Sequence, residues 1–222
     1  MSMVKDAALA RAAGIRQRGD RPSQRRSAEH GSTFRASFSA RVELRAKPDS
    51  GLLIFEGLAS ATERAYDMWD MWGPYSEIVS AGAFADTLAR VDLDVPFVLG
   101  HDQLRRIART TTGTLHLEET PEGLRVSAEL DPADPDVAYI APKLWGGLID
   151  EMSFAFRIES GQWSPDYSEF RINRAELHRG DVAIVGFGAN PYTAAGLRSA
   201  PEPPQRAAVR PEMGRLLELQ RI

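Results

Sequence analysis

One serine is set apart by its neighbours in Glu151-Met152-Ser153-Phe154-Ala155-Phe156. Successive side chains of an extended strand point to opposite faces, so Met152, Phe154 and Phe156 take one face while Ser153 and Ala155 take the other. The apolar triplet needs a core, and the hydroxyl is turned away from it with only a methyl group beside it. A histidine ends a second apolar run, Val95-Pro96-Phe97-Val98-Leu99-Gly100-His101, and an acid opens a third, Asp181-Val182-Ala183-Ile184-Val185. A serine hydroxyl is a weak nucleophile at neutral pH until a base takes its proton, and an imidazole becomes that base once a third group orients it. Ser153, His101 and an acid therefore point to nucleophilic catalysis through an acyl-enzyme, with no cofactor and no metal.

The orienting group must accept a hydrogen bond from one ring nitrogen of His101 and leave the other for Ser153. An acid on a separate strand, Asp181, suits that demand better than the adjacent Asp102, which reads as a turn residue. Glu151 stands near the nucleophile and is expected to project to the opposite face, and Asp150 lies just before it. Gly146 and Gly147 allow backbone to approach a substrate and offer N–H groups for an oxyanion hole. Of the remaining histidines, His116 alternates with apolar neighbours in Thr114-Leu115-His116-Leu117 and reads as the solvent side of a strand. No His-x-x-His or His-Glu-x-x-His spacing supports a zinc hydrolase.

These residues have to be held by strands. Short alternating runs cover Phe34 to Leu44, Leu52 to Ser60, Val95 to Leu99, Thr114 to Leu117, Leu124 to Leu130, Met152 to Ile158, Glu169 to Ile172 and Val182 to Phe187. Turn signals such as Pro48-Asp49-Ser50-Gly51 and Pro121-Glu122-Gly123 separate them. Helical spacing is confined to Ala83 to Val91 and Pro135 to Gly147, where Val137, Ile140, Ala141 and Leu144 recur on one side. The expectation is a mainly β, α+β chain built on an antiparallel sheet or barrel with a few helices.

The composition is that of an ordinary globular protein: 222 residues, 43% hydrophobic, 26% charged. A formal charge of -4 gives no reason to expect nucleic-acid binding. With no cysteine, a disulfide framework, a zinc-thiolate site and a cysteine nucleophile are all excluded. No apolar run approaches the ~20 residues that a membrane helix needs, so no membrane partner is expected.

The blocks carrying these residues occur in a recognisable order. Phe55-Glu56-Gly57-Leu58-Ala59-Ser60 is followed by Ile78-Val79-Ser80-Ala81-Gly82-Ala83-Phe84 with Thr87-Leu88, then His101-Asp102, Gly123-Leu124, Met152-Ser153-Phe154, and Asp181-Val182-Ala183-Ile184-Val185 running into Ala189-Asn190-Pro191. In this order and spacing the segment resembles the prohead (capsid maturation) serine proteases of tailed phages, relatives of the herpesvirus assemblins, over residues 34 to 198. The resemblance implies an assemblin-like antiparallel β-barrel flanked by helices, with Ser153 as nucleophile, His101 as base and Asp181 as third member. His178 competes for that third place, because the herpesvirus relatives use a second histidine there. It also implies an endopeptidase that cleaves major capsid protein and scaffold segments, and its own tails, inside the procapsid in the host cytoplasm. Association between copies is a further expectation from the same relatives. The alternative from another class is a non-catalytic assembly factor that keeps the fold and binds scaffold. This chain departs from the family pattern in having Asp181-Val182-Ala183 where Glu-Val-Ser is usual, Ile107-Ala108 where Ile-Gly is usual, and an apolar Met68-Trp69-Asp70-Met71-Trp72 in a loop that is usually polar.

The termini differ from the centre. Residues 1 to 41 carry nine Lys/Arg against three acids, a local +6 on a negative chain. Ala7 to Ala13 could form one or two helical turns, with Gly14, Gly19 and Pro22 breaking them, so residues 1 to 33 read as a flexible basic arm. After Ser199, Pro201-Glu202-Pro203-Pro204 reads as a stiff linker leading to a short amphipathic helix from Pro211 to Gln220.

Overall fold

The computed structural model describes residues 3–18, 43–47, 50–186 and 194–195. The C-terminal linker and helix, the Ala189-Asn190-Pro191 turn and most of the Phe34 to Leu44 strand lie outside those residues.

Two β-sheets face each other across one core. The first has the order β1 (Glu43–Ala46), β2 (Leu53–Ala61), β8 (Gly123–Leu130), β7 (Leu115–Thr120), all antiparallel, with the short β11 (Ala194–Ala195) also pairing β2. The second runs β3 (Tyr66–Asp70), β4 (Gly73–Val79), β10 (Glu169–Val185), β5 (Pro96–Leu99), β6 (Asp102–Arg109), and β9 (Glu151–Trp163) pairs β10. Alternation drives both: Leu53 and Phe55 on β2, and Met152 and Phe154 on β9, are buried at every second position. Phe55 meets Phe97 across the sheets with ring centroids 4.7 Å apart, and Phe84 meets Phe154 at 5.6 Å. The helix α3 (Pro135–Trp145) buries the stripe Val137, Ile140, Ala141 and Leu144, with Asp134 capping its first turn through Asp136 N and Val137 N.

The mainly β, α+β expectation therefore holds, but the sheets are not closed into the expected barrel. Nor is the second sheet purely antiparallel, since β10 runs parallel to both β4 and β5. At 17 residues, β10 is long enough to serve two neighbourhoods, β4 in its first part and β5 in its last. Alternation misses four of the described strands, the two-residue β11 among them. Only Ile107 and Ala108 of β6 are buried, and β3 and β4 lie in the stretch that Met68-Trp69-Asp70-Met71-Trp72 and Gly73-Pro74 made look like a loop.

The N-terminal helix also exceeds its expectation. The helix α1 (Met3–Arg18) runs straight through Gly14, and Ala7, Ala8 and Arg11 are buried against β4. The short α2 (Ala85–Leu88) falls inside the predicted helical stretch.

Candidate active site

Residues 151–155 of β9, residues 181–185 of β10 and the β5–β6 hairpin assemble the predicted residues. In the β9–β10 ladder Ser153 lies opposite Ala183 and Ala155 opposite Asp181. Facing residues of an antiparallel pair share a side, so Ser153, Ala155, Ala183 and Asp181 occupy one face, with Met152 and Phe154 buried on the other. Ser153 and Asp181 are diagonal neighbours on that face, a relation that places Cα atoms about 7–8 Å apart. Val98, Ala183 and Val185 form a small apolar floor there.

The imidazole comes from β5 and β6. Leu99 pairs with Asp102, leaving Gly100 and His101 as a two-residue loop in which both have φ +62°. Two successive positive φ values match the right-handed twist of the flanking strands, and glycine accepts one of them without strain. A side-chain-bearing residue pays roughly 1 kcal/mol or more for the left-handed region, so His101 is held there by its surroundings. Part of that hold is visible: Gly100 N donates to Ile184 O at 2.9 Å. His101 Nδ1 lies 2.7 Å from Asp181 Oδ1, with the imidazole 39% exposed and the carboxylate 4%. A carboxylate oxygen only accepts, so the Nδ1 hydrogen is the one directed at Asp181, and in the neutral imidazole Nε2 is the acceptor.

Asp181 reaches this position through a bulge. The β9–β10 register breaks between Glu176 and Asp181, Arg179 takes φ +61°, and Gly180 passes so near β9 that a Cβ there would sit 1.9 Å from Ala155 O. Only glycine fits, and the strand resumes register at Asp181. The competitor His178 lies inside the bulge, where its Nδ1 accepts from Asp94 N at 3.2 Å. Asp102 uses Oδ1 to accept from Leu104 N at 2.9 Å, the turn role expected of it. Glu151, opposite Val185 and two residues before Ser153, lies on the Ser153 face rather than the opposite one, because strand side chains alternate; Asp150 is half-buried just before β9, and His116 lies on the exposed side of β7.

One participant was not foreseen. Gln103 Nε2 donates to Asp181 Oδ2 at 2.7 Å, while Arg106 Nη2 donates to Gln103 Oε1 at 3.3 Å and so fixes which way the amide faces. Both oxygens of the buried carboxylate are thereby occupied. No local pattern marks Gln103, whose only signal is standing two residues after the histidine. Gly146 and Gly147 do not offer free N–H groups: they donate to Pro142 O at 3.0 Å and Leu144 O at 3.1 Å and close the end of α3.

The hairpin is anchored at its base. Arg109 Nε and Nη2 donate to the two oxygens of Asp94 at 2.6 and 2.7 Å. The Arg109 hydrogen bonds hold the Asp94 carboxyl below its ordinary value, against a smaller opposing push from burial.

With this geometry in place, comparison with known proteins gives one result. The model of a family described as caudovirus prohead serine protease matches residues 40–203, about three quarters of the chain. Neither the curated proteins nor the solved structures offer a significant match.

Proposed function

Because this chain belongs to the caudovirus prohead serine protease family, a class of serine protease acting in capsid maturation, we propose that Ser153, His101 and Asp181 are its catalytic triad. The observation that carries the reading is the 2.7 Å contact between His101 Nδ1 and Asp181 Oδ1, made across 80 residues of sequence on the face that also bears Ser153. In the proposed reaction the Nε2 lone pair of His101 accepts the proton of Ser153 as Oγ attacks the scissile carbonyl. Asp181 stabilises the imidazolium that forms, and the imidazolium then protonates the leaving amine. Water, activated by the same nitrogen, hydrolyses the acyl-enzyme and restores Ser153. The small side chains Ala155 and Ala183 beside the hydroxyl leave room for a peptide backbone.

The substrates in this reading are the major capsid protein and scaffold segments, cut inside the procapsid in the host cytoplasm, with the chain's own tails as further targets and association between copies as a control. No helix among the described residues is long and apolar enough to cross a membrane. Coexpression with the capsid-protein gene from the same locus, followed by intact-mass measurement of both products, tests the function. Shortened capsid protein with the native chain and full-length capsid protein with Ser153→Ala are expected. Equal processing by both would refute the assignment of the nucleophile.

A further inference from the structure

At the end of the second sheet remote from Ser153, an arginine is enclosed completely. Arg11 of α1 is 0% exposed and every nitrogen of its guanidinium has a partner. Nε donates to Asp70 Oδ2 at 2.7 Å and Nη2 to Asp70 Oδ1 at 3.0 Å, a bidentate pair. Nη1 donates to Tyr167 O at 2.7 Å, and Nη2 also reaches Gly73 O at 3.0 Å and Pro74 O at 3.4 Å. The ring of Trp163 lies 4.7 Å from the guanidinium carbon and that of Tyr75 5.1 Å from it. These partners come from β3, β4, β9 and the β9–β10 turn, so they form a socket made by two hairpin ends.

We propose that this socket is a guanidinium-recognition site whose resident ligand is Arg11, and that it holds residues 3–18 as a separable helical module that stays bound when its connection to β1 is cut. Three observations lead there. First, the socket is built independently of the helix: Asp70 Oδ1 also accepts from Trp72 N at 2.9 Å and Gly73 N at 3.2 Å, so the β3–β4 turn itself fixes the carboxylate. Second, α1 is shaped to enter. Gly73 approaches Ala7 so closely that a Cβ on it would lie 2.8 Å from the alanine methyl, and a Cβ on Gly14 would lie 2.6 Å from the Trp72 ring. The residues at 7, 11 and 14 thus put a small side chain, an arginine and no side chain on one helical face. Third, residues 19–42 separate α1 from β1. Twenty-four residues can span up to roughly 80 Å, so the covalent connection does not dictate where the helix rests and the socket must. Helices this short are marginal alone in water, so docking is also what keeps α1 helical. Nine or ten residues of β9 separate Trp163 from Ser153, about 30 Å at strand rise, and the module therefore does not cover the proposed active site.

The site is also selective. A lysine supplies a point charge and three donors, which cannot satisfy a carboxylate in bidentate fashion and two further carbonyls while lying between two rings. The recognised chemistry is an arginine on a helix with small residues four before and three after it.

The test uses the full chain carrying Ser153→Ala, with the recognition sequence of a site-specific protease inserted between Ser27 and Ala28. After complete cleavage, size-exclusion chromatography at micromolar concentration with mass measurement of each peak should find the N-terminal fragment with the body. The same experiment with Arg11→Met, which keeps length and removes charge, should release it, since removing the enclosed partner of such a pair weakens it on the order of 10²- to 10³-fold. Arg11→Lys should fall between. Should Arg11→Met not fold, judged by circular dichroism before cleavage, Asp70→Asn tests the same contact from the socket side and should also release the fragment. Separation of the unsubstituted fragment overturns the proposal, as does undiminished retention in Arg11→Met or Asp70→Asn.

Discussion

The two ends of the β9–β10 pair each set a carboxylate against a side-chain nitrogen, with exposure arranged in opposite ways. At the Ser153 end His101 is 39% exposed and Asp181 4%. At the other end Arg11 is 0% exposed and Asp70 14%. His101 spends one nitrogen on its partner and keeps the other open, which leaves it able to take and return a proton. Arg11 spends all its nitrogens and does not deprotonate in proteins, so its contact can only hold. The same strand pair thus carries a pair fit for chemistry and a pair fit for anchoring, and what separates them is which partner faces water.

Both ends are open to direct test. The largest effect is expected at the proposed nucleophile: Ser153→Ala should reduce cleavage by on the order of 10⁶ in turnover, the scale of nucleophile loss in triad hydrolases. Its unfolding free energy should stay within about 0.5 kcal/mol of the native chain. A variant that cleaves at the native rate removes chemistry from this end altogether. Asp181→Asn should cost on the order of 10⁴, because an amide favours the wrong imidazole tautomer. His178→Gln and Asp102→Asn should stay near native turnover, and a 10⁴ loss for His178→Gln alone would hand the orienting role to the bulge histidine.

At the other end the readout reverses. Arg11→Met should destabilise the fold by about 3–5 kcal/mol in denaturant titration, the range for breaking a buried pair from one side, with little change in kcat of the folded fraction. A kcat loss comparable to that of Asp181→Asn would mean that the two ends are not separate. A smaller effect belongs to Gln103→Ala, expected to lower kcat about tenfold with KM unchanged, since one hydrogen bond to a charged group is at stake. Gln103→Glu should be worse than Gln103→Ala because it sets carboxylate against carboxylate; an unchanged kcat in both would make Gln103 structural.

The smallest effect is one of pH. The Asp94 carboxyl is held below its ordinary value by the Arg109 hydrogen bonds, so its contribution to stability is full above the unfolded value and fades as pH falls through the lowered folded value. Native chain should therefore lose stability below about pH 4 more steeply than Arg109→Met does. Identical acid limbs in chemical unfolding would show that the base of the β5–β6 hairpin is not held this way.

How much of this was readable beforehand differs by element. Period-two alternation in Met152-Ser153-Phe154 placed the hydroxyl off the core, and the stripe Val137, Ile140, Ala141, Leu144 marked α3 to within two residues. Edge and amphipathic-poor segments were not readable: β6 buries two residues, and α1 shows no marked apolar face, so neither leaves a period to find. Gly14 reads as a breaker from its neighbours in sequence, and what favours a glycine there is the close approach of Trp72 from outside the helix. Neither the open sheets in place of a barrel nor the parallel pairing of β10 with β4 and β5 is announced by any local signal.

Residue order alone therefore determined the strands that bear Ser153 and Asp181 and the one that ends just before His101, since alternation and turn residues act within about ten positions. Whether those side chains meet was a tertiary matter. The contact between His101 and Asp181 depends on a parallel pairing, a positive-φ hairpin tip and a bulge at Gly180 that returns Asp181 to register. The contact between Arg11 and its socket likewise gathers residues from 11 to 167. Such contacts are decided by register and close approach between distant segments, because a one-residue slip in a strand turns every side chain to the other face.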